Sequence, residues 1–176
     1  MNELQWGFVF HEDRCIQCGG CETACNMWRS TEHGVNWRRV LNIWHGDYPN
    51  ITCSALSVSC LHCDDPACVG ACPSQAITKR ASDGLVLVDR DKCTGCQACL
   101  RACPYDVPQF GADGLMQKCD MCVSDMNGNL DAASHIPPCI RTCPTGALEI
   151  IKMTPAQKTK TENDLSAFYQ KAGRGK

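Results

Sequence analysis

Sixteen of the seventeen cysteines in this 176-residue chain fall into four groups of four. The groups are Cys15-x2-Cys18-x2-Cys21-x3-Cys25, Cys60-x2-Cys63-x4-Cys68-x3-Cys72-Pro73, Cys93-x2-Cys96-x2-Cys99-x3-Cys103-Pro104 and Cys119-x2-Cys122-x16-Cys139-x3-Cys143-Pro144; Cys53 is left over. Two-residue gaps let a tight loop turn three thiols onto one compact centre. A helix opened by the third cysteine carries the fourth about 6 Å along its axis, and the proline that follows stops the helix there. The fourth thiol is thus better placed to serve a second centre than to close the first.

This is the C-x2-C-x2-C-x3-C-P run of bacterial ferredoxins, in which the fourth cysteine ligates the other cluster of a two-cluster unit. The third group fits it without exception. A disulfide scaffold gives no reason for proline after three of the four terminal cysteines. Zinc prefers two separated C-x2-C pairs, which only the fourth group loosely imitates, so a zinc-folded adaptor is the rival reading of another class. A thioredoxin-like motif needs one C-x-x-C rather than several in series. Iron-sulfur ligation is the expectation.

An internal repeat suggests which groups pair. "VFHEDRCIQCGGCETAC" (9–25) aligns with "LVDRDKCTGCQACLRAC" (87–103), and "CVGACPSQAI" (68–77) with "CIRTCPTGAL" (139–148), so the chain reads as a doubled unit. Groups two and three form one copy and groups one and four the other. The predicted ligand sets are Cys15, Cys18, Cys21 with Cys143; Cys119, Cys122, Cys139 with Cys25; Cys60, Cys63, Cys68 with Cys103; and Cys93, Cys96, Cys99 with Cys72. Each set is all-thiolate, so four 4Fe-4S clusters are expected, without Rieske-type histidine ligation. His62 reads as a histidine at the surface or backing a ligand, Cys53 as a small half-buried thiol, and Trp28, Trp37 and Trp44 as packing around the clusters. Gly19, Gly20, Gly111 and Gly114 read as turn residues.

The elements that must hold these thiols are short. The expected class is α+β, two bacterial-ferredoxin-like two-cluster units built from short β-hairpins and short helices. The outer unit comprises 1–30 and 114–151, the inner unit 58–113, with a connecting insert at 31–57. "AITKRASDGLVLVD" reads as strand, Asp83-Gly84 turn, strand; the outer counterpart pairs a strand near Trp6 to Phe10 with one near Ala147 to Ile151. Aromatics make up only 6% and cysteine inflates the 44% hydrophobic share, so the ordinary core is thin and bound metal is expected to contribute folding energy. Residues 152–176 form a basic tail of net +4 on a body of net −6. "TPAQKTKTENDLSAFYQKAG" reads as one helix capped by Thr154 with Pro155 first, Leu165, Phe168 and Tyr169 on one face, either a solvated end or a docking segment for a partner chain. A net charge of −2 argues against nucleic acid. The start carries no export signal, the Arg38-Arg39 pair lying too deep to be one, and no run approaches the ~18 apolar residues of a membrane span.

With no G-x-G-x-x-G or P-loop run and no Ser/His/Asp arrangement, the active site is expected on a partner, with this chain passing electrons. "GFVFHEDRCIQCGGCETAC", "VNWRRV", "LSVSCLHCDDPACVGACPSQAI", "DGLVLVDRDKCTGCQACLRACPYDVPQF" and "QKCDMC" resemble the four-cluster electron-transfer subunits of molybdenum- and tungsten-pterin oxidoreductases, most closely the iron-sulfur subunit of dimethyl sulfoxide reductase. The resemblance runs from Trp6 to about Ile151. It implies a catalytic molybdenum- or tungsten-pterin subunit as partner, and a further redox subunit, either a quinone-linked membrane anchor or a flavin or ferredoxin carrier. A polyferredoxin of a cytoplasmic tungsten aldehyde oxidoreductase, or of a hydrogenase or formate dehydrogenase complex, is the alternative host. The cytoplasm is the expected location, or the periplasmic face of the membrane by co-export with a partner. Group one departs from the pattern in lacking its terminal proline, and the Cys122 to Cys139 loop is long.

Overall fold

Among the described residues every strand pairs with one other strand only, which leaves helices, loops and thiols to fill the space between four antiparallel ribbons. The computed structural model describes residues 4–123 and 136–171; most of the Cys122 to Cys139 loop lies outside them. The first ribbon joins the two ends of the chain. In it β1 (Gln5–Phe10) runs against β8 (Leu148–Met153), with Gln5 opposite Met153 and Phe10 opposite Leu148.

The inner ribbon joins β4 (Ile77–Lys79) to β5 (Val86–Val88), Ile77 facing Val88. Its turn depends on Gly84, whose φ of +72° suits glycine, and on the Arg80 guanidinium bound to the Asp83 carboxylate. The two ribbons meet where the Trp6 amide donates to the Asp83 carbonyl at 3.0 Å.

Helices follow the proline pattern. Those that end at a Cys-Pro pair are a turn or little more: α2 (Ala67–Gly70), α3 (Ala98–Ala102) and α4 (Pro138–Arg141). Group one has Asn26 where the others have proline, so α1 (Gly20–Arg29) runs on for another turn and stops at Ser30, φ +47°. The departure seen in the sequence thus becomes a longer helix, because nothing blocks the backbone bond that proline would remove. Helix α1 packs on α4, and α2 on α3.

The repeat in the sequence is repeated in the backbone. A 3-10 turn precedes Cys15 (Glu12–Arg14) and another precedes Cys93 (Arg90–Lys92). The His11 amide donates to Ala147 at 2.8 Å, and in the other copy Asp89 donates to Ala76 at 2.8 Å. The insert forms a hairpin of β2 (Arg39–His45) and β3 (Thr52–Val58). Its β3 end is buried from Ala55 to Val58, whereas Trp44 stands 69% exposed and Trp28 is also exposed. Trp37, by contrast, is half-buried, its indole N–H donating to Gln117 at 3.0 Å.

The C-terminal helix α5 (Pro155–Lys171) starts with a capping box: the Gln157 amide donates to the Thr154 hydroxyl at 3.3 Å, and Gln157 Oε1 accepts from the Thr154 amide at 2.8 Å. Its apolar face is spent on the chain's own body. Leu165 and Tyr169 are buried, and Tyr169 meets Tyr105 edge to face at 5.9 Å. The main core gathers Phe8, Leu56, Val58, Leu85, Val107 and Met121 with Cys60, Cys119 and Cys139 among them. As its composition implies, it is thin and laced with thiols. Two short strands, β6 (Gln109–Phe110) and β7 (Met116–Gln117), lead from the inner unit to group four.

Candidate metal centres

The first C-x2-C loop of each group is shaped by a left-handed residue just before its second cysteine. Gln17, His62, Gly95 and Met121 have φ of +61°, +50°, +68° and +58°. Such a residue reverses the chain in the space of one peptide and turns adjacent side chains to the same side. The same device follows the Cys-Pro pairs, at Gln75, Asp106 and Gly146. Four times over, the backbone is bent to present sulfur inward.

The amides exposed by these bends donate to sulfur. His62 N–H reaches Cys60 Sγ at 3.4 Å, Met121 N–H reaches Cys119 Sγ at 3.4 Å, and Ala147 N–H reaches Cys143 Sγ at 3.2 Å. Met116, on β7, donates to Cys93 Sγ at 3.4 Å. Hydrogen bonds of this kind favour the thiolate, the form that binds metal.

Thiols distant in sequence come together. Cys15, Cys18, Cys21 and Cys143 line one cavity with Phe10, Val40 and Leu148. Cys72, Cys93, Cys96 and Cys99 line another with Ile77, Phe110 and Met116. Cys63 lies in the electrostatic field of Cys60, Cys103 and Cys68. Cys119 is in that of Cys25 and Cys122, and Cys122 in that of Cys139. Two further electrostatic interactions run between the predicted sets, Cys21 with Cys139 and Cys68 with Cys99, and these are equivalent positions in the repeat. Cys53 joins none of the four. Its carbonyl accepts from Gln17 and its thiol donates to Ser54.

Among the described residues no three His, Cys, Asp or Glu side chains converge on a single ion. Around Cys15, Cys18, Cys21 and Cys143, and around Cys72, Cys93, Cys96 and Cys99, the thiols instead surround space, which suits a group of several atoms. A zinc site draws its four sulfurs to about 2.3 Å of one point. The soft donors, the cavities between them and the amides directed at sulfur all fit an iron-sulfur cluster. A larger apolar cavity between β1, β3 and α5 has no cysteine in its lining.

Burial acts against the thiolates. It pushes the Cys25 and Cys68 thiols up to about 11 and Cys122 up to about 12, and it raises Cys119 and Cys63 as well. Cys72 and Cys143 go the other way. They sit after the short helices α2 and α4, and their burial is outweighed by hydrogen bonds from Ser74 or Thr145 and from nearby amides, which lower both.

Cationic side chains compensate the buried sets, and sequence spacing gives no warning of them. Arg38 is 1% exposed and lies in the field of Cys139, Cys119, Cys21 and Cys25. Arg29, at the end of the prolonged α1, pairs with Asp120 and lies 4.9 Å over the Trp37 ring. On the inner side Lys118 and Lys158 are buried beside group two, and Lys158 Nζ donates to the His62 carbonyl. His62 is fully buried, which corrects the surface reading and keeps the other. Its ring backs the Cys60 loop, Nδ1 accepting from the Val86 amide at 2.9 Å. The only signal for Arg38 in the sequence is its place in "VNWRRV", between two cysteine groups.

A family model described as a 4Fe-4S dicluster domain matches residues 51–153, and one described as a 4Fe-4S binding domain matches 12–28. The chain is 42% identical over 154 residues to the probable anaerobic dimethyl sulfoxide reductase subunit YnfG of Escherichia coli K12, covering 82% of this chain and 72% of that one. It is 40% identical to a subunit of the anaerobic dimethyl sulfoxide reductase of the same strain, with the same coverage. The formate dehydrogenase iron-sulfur subunit of Wolinella succinogenes is 37% identical over 159 residues, 80% of this chain and 78% of that one.

Proposed function

The chain belongs to the ferredoxin-like iron-sulfur subunits of the dimethyl sulfoxide reductase kind, and on that premise we propose that it transfers electrons along four 4Fe-4S clusters to or from a catalytic partner. The observation that carries this reading is the crosswise gathering of thiols, Cys143 with the first group and Cys72 with the third. Four ligand sets follow: Cys15, Cys18, Cys21 with Cys143; Cys119, Cys122, Cys139 with Cys25; Cys60, Cys63, Cys68 with Cys103; Cys93, Cys96, Cys99 with Cys72. The outer unit comprises 1–30 and 114–151, and the inner unit 58–113.

A bound cluster supplies reversible one-electron chemistry at a potential set by charge, hydrogen bonds and solvent. The chain's own residues provide that setting. Cys18 and Cys96 are the exposed members of the sixteen, one in the first set and one in the fourth. Cys119 and Cys139 of the second set and Cys60 of the third share the main core. The order that fits is therefore first, second, third, fourth, with the two ends near the surface and a dry middle.

The partner at one end is a molybdenum- or tungsten-pterin subunit that holds the active site, and the partner at the other is a quinone-linked or soluble redox subunit. A formate dehydrogenase host is the second reading, supported by the Wolinella likeness. No helix among the described residues is long and apolar enough to cross a membrane. Anaerobic purification is the test. The chain is expected to be brown, to bleach with dithionite, to hold about sixteen iron and sixteen sulfide, and to elute with a subunit containing molybdenum or tungsten. A colourless chain containing zinc ends the proposal; a brown chain with no pterin subunit at its side ends the assignment of the host.

A further inference from the structure

We propose that Arg38 is the shared counter-charge of the two outer ligand sets, holding both of their clusters at higher reduction potentials, and that Ser57 carries part of its effect to the Cys21 thiolate. This rests on the ligand sets given above. Arg38 precedes β2 in the insert, and its whole side chain is out of water. A buried guanidinium is costly unless anions face it. Among the described residues no carboxylate bonds to it: Nη1 donates to Ser57 Oγ at 3.0 Å, the group lies 4.4 Å over the Phe8 ring, and Nε and Nη2 have no partner.

The groups that act on it most strongly are sulfurs, Cys139, Cys119 and Cys25 from the second set and Cys21 from the first, while Glu12, Lys160 and Asp164 share the cavity that it lines. As neutral thiols they do not offset burial of a cation. As metal-bound thiolates they do, and a ring face alone does not account for the placement. Ser57 then has a defined direction. Its oxygen accepts from Arg38, and its hydroxyl proton is left for Cys21 Sγ, 3.4 Å away. Polarised by the guanidinium, that bond strengthens.

The sign follows from Coulomb's law. Reduction adds a negative charge to a cluster, and a fixed cation nearby in a low-dielectric interior stabilises the reduced state more than the oxidised one. The inner pair is equipped differently. Lys118 and Lys158 are also buried, but each is tied to backbone carbonyls, of Val86 and Cys119 in one case and of His62 in the other. Arg38 is thus particular to the outer sets.

The test is a redox titration of the full chain, purified anaerobically, followed by electron paramagnetic resonance of its one-electron components. A wild-type chain with fewer than four components refutes the ligand sets before any variant is made. In Arg38→Gln, two components are expected to move down, each by about tenfold in its equilibrium constant, or about 59 mV. They should be the two that Cys143→Ser and Cys25→Ser perturb. Arg38→Lys is expected to return both toward wild type, and Ser57→Ala to move only the first set. Movement in none, in one or in all four components of Arg38→Gln overturns the proposal. If Arg38→Gln takes up no iron, Ser57→Ala decides: a single component moving down upholds the link from Arg38 to Cys21, and four unmoved components overturn it.

Discussion

At the scale of single residues, the proposed ligand sets rest on local backbone conformation as much as on sulfur. Gly95 is the strictest case. Its φ is +68°, and a Cβ built there would lie 2.6 Å from the Gly114 carbonyl oxygen, a rigid neighbour. Gly95→Ala is therefore expected to cost the chain the iron of the Cys93, Cys96, Cys99, Cys72 set while sparing the others, as read by iron and sulfide content and by loss of one spectroscopic component. The crossing of ligands gives a second expectation. Cys143→Ser should damage the cluster of group one, whose loop lies more than a hundred residues away, and leave that of group four. Loss of the group four component instead would refute the crossing. Cysteine positions of this kind are legible in sequence because spacing alone fixes how many thiols one loop can turn inward. Arg38 is not, since an arginine between cysteine groups reads as surface until the fold buries it, and His62 hides its burial for the same reason.

At the scale of elements, the sequence repeat makes the β1–β8 pairing legible although the strands stand at opposite ends of the chain, because the inner copy presents the same two strands as a contiguous hairpin. The insert has no copy to be compared with, so the β2–β3 hairpin and the exposure of Trp44 cannot be read from it. Helix α5 is legible through its cap and its apolar spacing, yet the sequence does not say that its apolar face closes on its own body. That closure has measurable strength. Leu165→Ala is expected to destabilise the folded chain by about 2–5 kcal/mol, and Thr154→Ala by about 0.5–2 kcal/mol, in anaerobic chemical unfolding. Lys158 adds a pH dependence. Burial, then the Lys79 charge, holds its ammonium down to about 8 from an ordinary 10.5. The unfolded chain thus binds more protons than the folded one between those limits, so stability rises with pH across them. Lys158→Met is expected to flatten that rise between pH 8 and pH 10.

At the scale of the whole molecule, the outer unit is one that the chain must close on itself. Its strands β1 and β8 are Gln5–Phe10 and Leu148–Met153, and the ligand sets proposed for it mix groups one and four. Removal of residues 1–10 is expected to unpair β8 and strip iron from the outer sets, while the inner unit, contiguous from 58 to 113, keeps its share; uniform loss from all four would show that the halves cannot stand apart. The same closure has a consequence for biosynthesis. Cys15, Cys18 and Cys21 leave the ribosome well before Cys143 is made, by on the order of ten seconds at ordinary elongation rates. With ligands crossed as proposed, three nascent thiols stand through that interval without their fourth companion, whereas the inner sets are complete once Cys103 has emerged. Delivery of iron to the newborn chain would then be timed by translation itself, inner sites first, and any carrier that serves the outer sites would have to wait for Cys143 or shield them until then.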